Sequence, residues 1–423
     1  MHYTVATDDL DIDYWAHFLR FKKLGQLDQS TAVPSLSRDN YSRLQAPVPP
    51  TNEQTRIVEK IDELFSDIEA GEKALETARA LVKRYRQSVL KSAVTGEMTA
   101  DWRAANIDRL KAEGKTGANL LVDVLKKRRA AWEAAEVAKM EAKGKLPKDE
   151  KWKNKYKEPA APDTSELPEL PEGWVWGSLE QIVSEFGNGL SKAPNDDLPG
   201  QPILRISAVR PLAVDPLDVR SYQVGENEVV DGYRVREGDL LFTRYNGSPH
   251  LVGVCGQFRG KQQVLHPDKV IKARPLMGLC SSYLEMALNT SESRSYVKRN
   301  IKTTAGQHGI AGADLKLVPI PIAPLEEQYR LVEIFEEAKS QADASENWCV
   351  DCSRQAAALR QSILKSAFSG ELVPQDQRDE SASSLLRRIG KDVVADRPAS
   401  RSIQSKRKPK PTTSSLEEQP KLL

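Results

Sequence analysis

Cysteine is scarce in this chain, four residues in 423, which rules out a disulfide framework and points to a reducing compartment. Cys349 and Cys352 form a lone C-x-x-C with no second pair or histidine nearby. They read as small buried residues of a helix and not as a zinc or redox site. Histidine is almost as rare, at five, and no H-E-x-x-H or paired-carboxylate spacing supplies a metal or acid/base constellation. No G-x-x-x-x-G-K-[ST] occurs, so the phosphate-cradling loop of an ATP-driven motor is missing. Phe186-Gly187-Asn188-Gly189 lacks the strand-then-helix setting of a cofactor-binding loop and reads as a turn. Catalysis by this chain alone is not expected, nor is a cofactor or metal of its own. There is no apolar run of about 18 residues and no basic-then-apolar leader, so a soluble cytoplasmic protein without membrane contact is expected. Net charge is only +2, and any nucleic-acid surface must therefore be a local patch.

What the chain does contain is a repeat. Residues 50 to 97, which close on RQSVLKSAVTGE, align without a gap on residues 324 to 371, which close on RQSILKSAFSGE. The offset is 274 and 19 of the 48 positions are identical, an internal duplication. In the first copy Ile57, Ile61, Leu64, Ile68, Gly71, Leu75, Ala78, Val82, Tyr85 and Val89 recur at steps of four and three, the heptad seam of a coiled-coil helix. The second copy places Leu331, Phe335, Ala338, Ala342, Ser345, Cys349, Cys352, Ala356, Leu359 and Ile363 in the same register. Each copy reads as one long helix, with capping-box spacing at Thr51 and Gln54 and left-handed stops at Gly96 and Gly370. The seam would run about 50 Å. Periodicity argues packing and names no partner; a plain scaffold or oligomerisation rod fits it too.

Around the repeat the texture changes several times. Residues 1 to 49 carry a short amphipathic helix at Tyr14, Trp15, Phe18 and Leu19, then polar sequence to Leu44, Pro47, Pro49 and Pro50. The same progression, Tyr283, Leu284, Met286 and Leu288 and then Val318, Pro319, Pro321 and Pro324, precedes the second copy. Residues 98 to 170 read as a charged helical segment and linker, in which contact of Lys126, Lys127, Arg128 and Arg129 with DNA phosphates is the minority reading. From 171 to 323 short β-rich segments suggest an α+β domain, with candidate strands at 203–206, 240–243, 251–254 and 264–271. Residues 373 to 423 hold a weak helix around Leu385, Leu386 and Ile389. They end in a basic tail with Lys406, Arg407, Lys408 and Lys410 that is expected to be mostly disordered.

The β-rich segment sets polar and basic side chains beside strand ends: Arg205, Ser207 and Arg210; Arg244, Tyr245, Asn246 and Ser248; Lys302, Thr303, Thr304, Gln307 and His308. Arg forks onto guanine, Asn and Gln onto adenine, Lys and Thr onto phosphate, so the inventory suits DNA reading. A protein-binding surface fits it equally well.

Taken together, the E-Q start and L-K-S-A-x-x-G-E exit of both helices, the Pro171-Glu172-Gly173-Trp174 threshold and Gly238-Asp239-Leu240-Leu241-Phe242-Thr243-Arg244 resemble the DNA-specificity subunit of Type I restriction-modification systems. The resemblance implies two target-recognition domains, each reading half of a bipartite DNA site, and two long helices that pair as an antiparallel coiled coil and act as a ruler between them. It implies a non-catalytic subunit that binds double-stranded DNA and docks modification (methyltransferase) and restriction (ATP-dependent nuclease) subunits, with S-adenosylmethionine, ATP and Mg held by those partners. In this reading 1–49 is the end of a first recognition domain, 50–97 the central helix, 171–323 the second recognition domain and 324–372 the distal helix. Arg244 lies in the family motif and is expected to anchor phosphate or support its loop, with base reading from Asn246, Arg205 and Gln307. A truncated first domain would leave one half-site reader. That suggests either two chains pairing through their helices as a homodimer or a regulatory form that binds the modification subunit without productive recognition.

Overall fold

The structure, a computed structural model, describes residues 9–22, 44–144, 147, 149–304 and 306–395. The basic tail and the polar stretch after the first helix lie outside the described residues. The chain divides into two compact units, a terminal unit of residues 1–77 with 350–423 and a central unit of residues 78–349. In chain order come helices α1 (Ile12–Phe21), α2 (Thr51–Val94), α3 (Ala100–Ala112) and α4 (Gly117–Ala142). There follow β1 (Val175–Ser178), α5 (Leu179–Ile182), β2 (Val183–Asn188), β3 (Gln201–Leu204), β4 (Val209–Arg210), β5 (Ala213–Val214) and β6 (Val219–Tyr222). Next are β7 (Arg234–Val235), β8 (Leu240–Thr243), β9 (Tyr245–Asn246), β10 (Cys255–Gln257), β11 (Val264–Leu265) and β12 (Val270–Pro275). Then come α6 (Ser281–Leu288), α7 (Ser291–Arg299), β13 (Lys302–Thr304), β14 (Gln307–Gly309), α8 (Gly312–Lys316), β15 (Pro319–Ile322), α9 (Leu325–Phe368) and α10 (Ala382–Ala395).

The duplicated stretches form α2 and α9, each 44 residues long. Both stop at a glycine with positive φ, Gly96 at 71° and Gly370 at 78°, which only glycine adopts without strain. The expected capping box does not form at the start of α2. Instead the Gln54 carboxamide donates to Pro49 O at 2.9 Å and accepts from Asp11 N at 3.0 Å, which ties the helix start to the segment before it. At the 274 offset, Gln328 donates to Ala323 O at 2.8 Å and accepts from Cys280 N at 3.3 Å. Tyr14 and Tyr283 repeat the pattern, their hydroxyls donating to Pro47 O at 3.1 Å and to Pro321 O at 2.8 Å. Each unit therefore contains the same local construction: a short helix lashed by a tyrosine and a glutamine to a proline-rich lead-in and a long helix.

Within each unit the two long helices touch in an antiparallel sense. In the terminal unit Ile57, Ile61 and Ile68 pack with Ile363, Leu364 and Ala367, and Tyr14 joins them. Arg360 pairs there with Glu72 at 2.9 Å and Glu69 at 3.8 Å. In the central unit Val89 shares a core with Leu331, Phe335 and Ala338, and Arg86 pairs with Asp343 at 2.6 Å and with Glu346. Arg86, Asp343 and Glu346 correspond to Arg360, Glu69 and Glu72 at the 274 offset, so the duplication preserved a charge clasp as well as a seam. Among the seam positions Cys349 and Ile363 are buried, while Leu64, Leu75, Val82 and Cys352 are half-buried. Four positions depart from the expectation: Gly71 and Ser345 are exposed, and so, among the large side chains, are Tyr85 at 44% and Leu359 at 51%. A straight helix drifts about 20° per heptad against a 3.5-residue repeat. At this height the half-buried residue is the next one, Arg86 or Arg360, and an arginine clasp replaces the apolar contact.

In the β-rich segment β8 lies between two cores, and a third gathers Leu190, Ile203, Tyr222, Val230 and Leu265. Leu240 and Phe242 point into one core, together with Trp174, Tyr283 and Ile320. Leu241 points into the other, with Val209, Val254, Phe258 and Val270. Alternate side chains of one strand bury on opposite faces, which is why Leu240–Phe242 is an unbroken apolar run and the strand is buried throughout. β8 lies inside an antiparallel sheet of order β10-β8-β12-β2. A second sheet, β6-β3-β11-β7, contains one parallel pair, β3 with β11, and β1 closes on β15 from Val175↔Ile322 to Ser178↔Pro319. The expected strand at 251–254 is not one: Pro249–Leu251 is a 3-10 turn and Gly253 takes φ 64°. The stretch 264–271 is interrupted at Pro267-Asp268 and contributes to β11 and β12. Phe186–Asn188, read from its glycines as a turn, belongs to β2, where it pairs with Ile271–Ala273 of β12.

Candidate nucleic-acid interface

Three short strands assemble two of the three polar groups singled out in the sequence. β14 pairs with β13 on one side (Thr303↔His308) and with β9 on the other (His308↔Asn246, Gly309↔Tyr245). Residues some sixty positions apart thus share one small sheet, leading directly off the buried end of β8. Its hydrogen bonds set Arg244 firmly: the backbone N donates to Lys269 O at 2.8 Å and the carbonyl accepts from Ile310 N at 3.1 Å.

The Arg244 guanidinium lies 4.7 Å from the centre of the Tyr245 ring. Tyr245 in turn lies over Gly309, where an added Cβ would stand 2.4 Å from the ring. Gly309 is therefore a close-approach glycine, and a side chain there would displace Tyr245. Arg244, Tyr245, Lys302, Gln307, Gly309 and Ile310 line a concavity of about 420 Å³. The Lys302 and Gln307 side chains are exposed at its rim, and the Arg244 Nε is buried with no hydrogen-bond partner among the described residues. Asn246 Oδ1 accepts from Ser248 N at 2.9 Å, an Asx turn that fixes the loop. Thr303 and His308 bond each other at 2.9 Å. The loop is held from behind by Arg294, which donates to His250 O at 2.9 Å; burial pushes its guanidinium below the usual range.

The third group is not brought to this concavity. Arg205 lies 3.5 Å from Asp196 and 3.6 Å from Asp218, and the Ser207 hydroxyl donates to Asp218. Arg210 donates to Val209 O at 3.0 Å. These side chains sit on the β3–β6 region, with two carboxylates offsetting the charge of Arg205. Two buried carboxylates that the sequence offered only as members of motifs, without a role, brace the surrounding fold. Asp239, 1% exposed, takes both nitrogens of the Arg274 fork at 2.7 and 2.8 Å and the Arg236 N–H at 2.8 Å. Glu327, fully buried, accepts from Trp174 Nε1 at 2.8 Å, Arg103 Nε at 2.9 Å and Thr99 Oγ1 at 2.7 Å. It locks the beginning of the β-rich fold to the beginning of α9. The one signal for Glu327 was its identity with Glu53 in the repeat.

No family model matches the chain. It is 30% identical over 407 residues to the Type I restriction enzyme EcoKI specificity subunit of Escherichia coli K12, covering 93% of this chain and 73% of that protein. The chain belongs to the Type I restriction enzyme specificity subunits. A second member of this family, the StySPI specificity subunit of Salmonella potsdam, is 23% identical over 391 residues, with 89% of this chain and 71% of that protein covered. The EcoDI specificity subunit of Escherichia coli is 24% identical over 419 residues, with 93% and 78% covered. A solved chain, from work on the assembly and conformational transition of the type I R-M system, superposes with a TM-score of 0.56 at 18% identity over 86% of this chain and 73% of that one. That likeness supports a shared fold. As for membranes, no helix among the described residues is long and apolar enough to cross one.

Proposed function

We propose that this chain is a non-catalytic subunit that reads DNA for a Type I restriction-modification assembly and carries the modification and restriction subunits on its long helices. In this reading residues 171–323 are a recognition domain that presents the β9-β14-β13 concavity to the DNA. S-adenosylmethionine, ATP and Mg belong to the partner subunits, where methylation and ATP-dependent cleavage take place. The observation that carries the reading is the convergence of Arg244, Tyr245, Lys302 and Gln307 on one concavity, an arginine, a lysine and an amide on short strands anchored to the core. Lys302 and Arg244 suit phosphate contacts that fix register, and the exposed Gln307 amide matches the donor and acceptor pair on adenine's major-groove edge.

The test is equilibrium binding of the chain, assembled with its modification subunit, to a duplex containing its methylated motif. Gln307→Ala is expected to cost about 1 to 3 kcal/mol and to relax discrimination at one base pair, whereas Arg244→Ala weakens all sequences and lowers the salt slope by about 1. Wild-type affinity, base preference and salt dependence in both variants would remove the concavity from the interface.

A further inference from the structure

Beyond the concavity, α4 and the turn behind it carry a charge that DNA reading by the β strands leaves unused. Residues 126–157 hold twelve Lys and Arg against five Asp and Glu, in a chain of net charge +2. The fold brings the two ends of this segment together. Trp132 of α4 stacks on Trp152, with ring centroids 5.9 Å apart and 24° between planes, and Tyr156 lies 5.2 Å from Trp132. Arg128 donates to the Tyr156 hydroxyl at 2.9 Å, and the Arg129 guanidinium lies 5.6 Å from the same ring. Aromatic packing thus holds the bases at 126–129 beside Lys151, Lys153, Lys155 and Lys157 against their mutual repulsion. A concavity of about 270 Å³ lined by Arg128, Trp132, Tyr156, Ser184 and Leu276 joins the arm to the β-rich fold. Acids offset part of the charge: Glu133 reaches Arg129 and Lys153, Glu150 reaches Lys153, and Glu158 reaches Arg129. Lys151, Lys155 and Lys157 are exposed and have no carboxylate at ion-pair distance among the described residues.

We propose that this aromatic-pinned arm is a second DNA-contact surface, one that grips the phosphate backbone without reading bases. The inference rests on the reading of the chain as a DNA-binding subunit. The chemistry favours phosphate over an acidic protein surface. Cores of protein interfaces are depleted in lysine and built on aromatic or aliphatic anchors. Here the aromatic rings pack on each other, and the groups turned outward are lysines, compact cations suited to phosphate oxygens.

Binding of the full-length chain to a fluorescein-labelled duplex of arbitrary sequence, measured across a KCl series, tests this. The triple variant Lys151→Gln, Lys155→Gln, Lys157→Gln is expected to reduce the slope of log K against log salt by about 2 to 3 and to weaken binding at least about tenfold near 0.1 M salt. An unchanged slope in the variant, beside normal salt-dependent binding by the parent, overturns the arm alone. Absence of salt-dependent binding by the parent overturns the DNA-binding reading as well. The control Lys73→Gln, Lys83→Gln, exposed charges on α2, should keep the parental slope; an equal drop there makes the effect one of net charge and overturns the proposal. An unchanged DNA slope with lost co-elution of the modification subunit assigns the arm to a protein partner and likewise overturns it.

Discussion

Replacing Glu327 by alanine is expected to cost the central unit about 3 to 5 kcal/mol, the penalty for removing one member of a buried charge pair. Glu327 is fully buried and accepts from the Arg103 guanidinium, the Trp174 indole and the Thr99 hydroxyl. Alanine leaves these donors without their acceptor in a closed space. Arg103 has a second acceptor in Gly96 O, so the loss should fall mainly on Trp174 and on the junction between β1 and α9. Hydrogen exchange reads it directly. Amides in peptides from 174–180 and 325–335 should lose about two to three orders of magnitude of protection. The same peptides at wild-type protection would show that the carboxylate does not hold this junction.

Asp239→Ala should have a comparable effect, about 3 to 5 kcal/mol, in the same unit. Asp239 precedes β8 and is 1% exposed. It fixes the Arg274 fork of β12 and the Arg236 N–H, which sets the register of β8 against β12. Because β9 and the Arg244 loop follow β8 within two residues, the variant should lose DNA binding along with stability. Asp239→Asn retains an acceptor for the Arg236 N–H and should lose less. Urea unfolding of the full chain compares the three proteins. Equal midpoints for Asp239→Ala and wild type would contradict the assignment.

Much of this architecture was legible in the sequence because it is local or repeated. The 274-residue offset set both long helices and both glycine stops, and the apolar run Leu240–Phe242 marked β8. The rest depended on which distant segments pair. Arg205 and Gln307 look equivalent in sequence, yet β9–β14 pairing carries Gln307 to Arg244 whereas Asp196 and Asp218 hold Arg205 elsewhere. Glycine content made Phe186–Asn188 look like a turn, although a ladder with β12 makes it a strand. Tyr85 and Leu359 kept the heptad step but lost the seam, since helix geometry drifts against a strict repeat. Glu327 was visible in both copies as part of the E-Q start. Its partners Thr99, Arg103 and Trp174 lie at least 153 residues away in sequence, beyond any local pattern.

The central claim, that residues 171–323 choose the DNA sequence for an assembly whose chemistry lies in other subunits, can be tested by methylation mapping. The chain would be expressed with its modification subunit, once as it stands and once with residues 171–323 replaced by the corresponding domain of a relative. The account predicts a recurrent methylated motif in the first case and, in the second, a motif changed only in the part read by the exchanged domain. An identical motif before and after the exchange would contradict it.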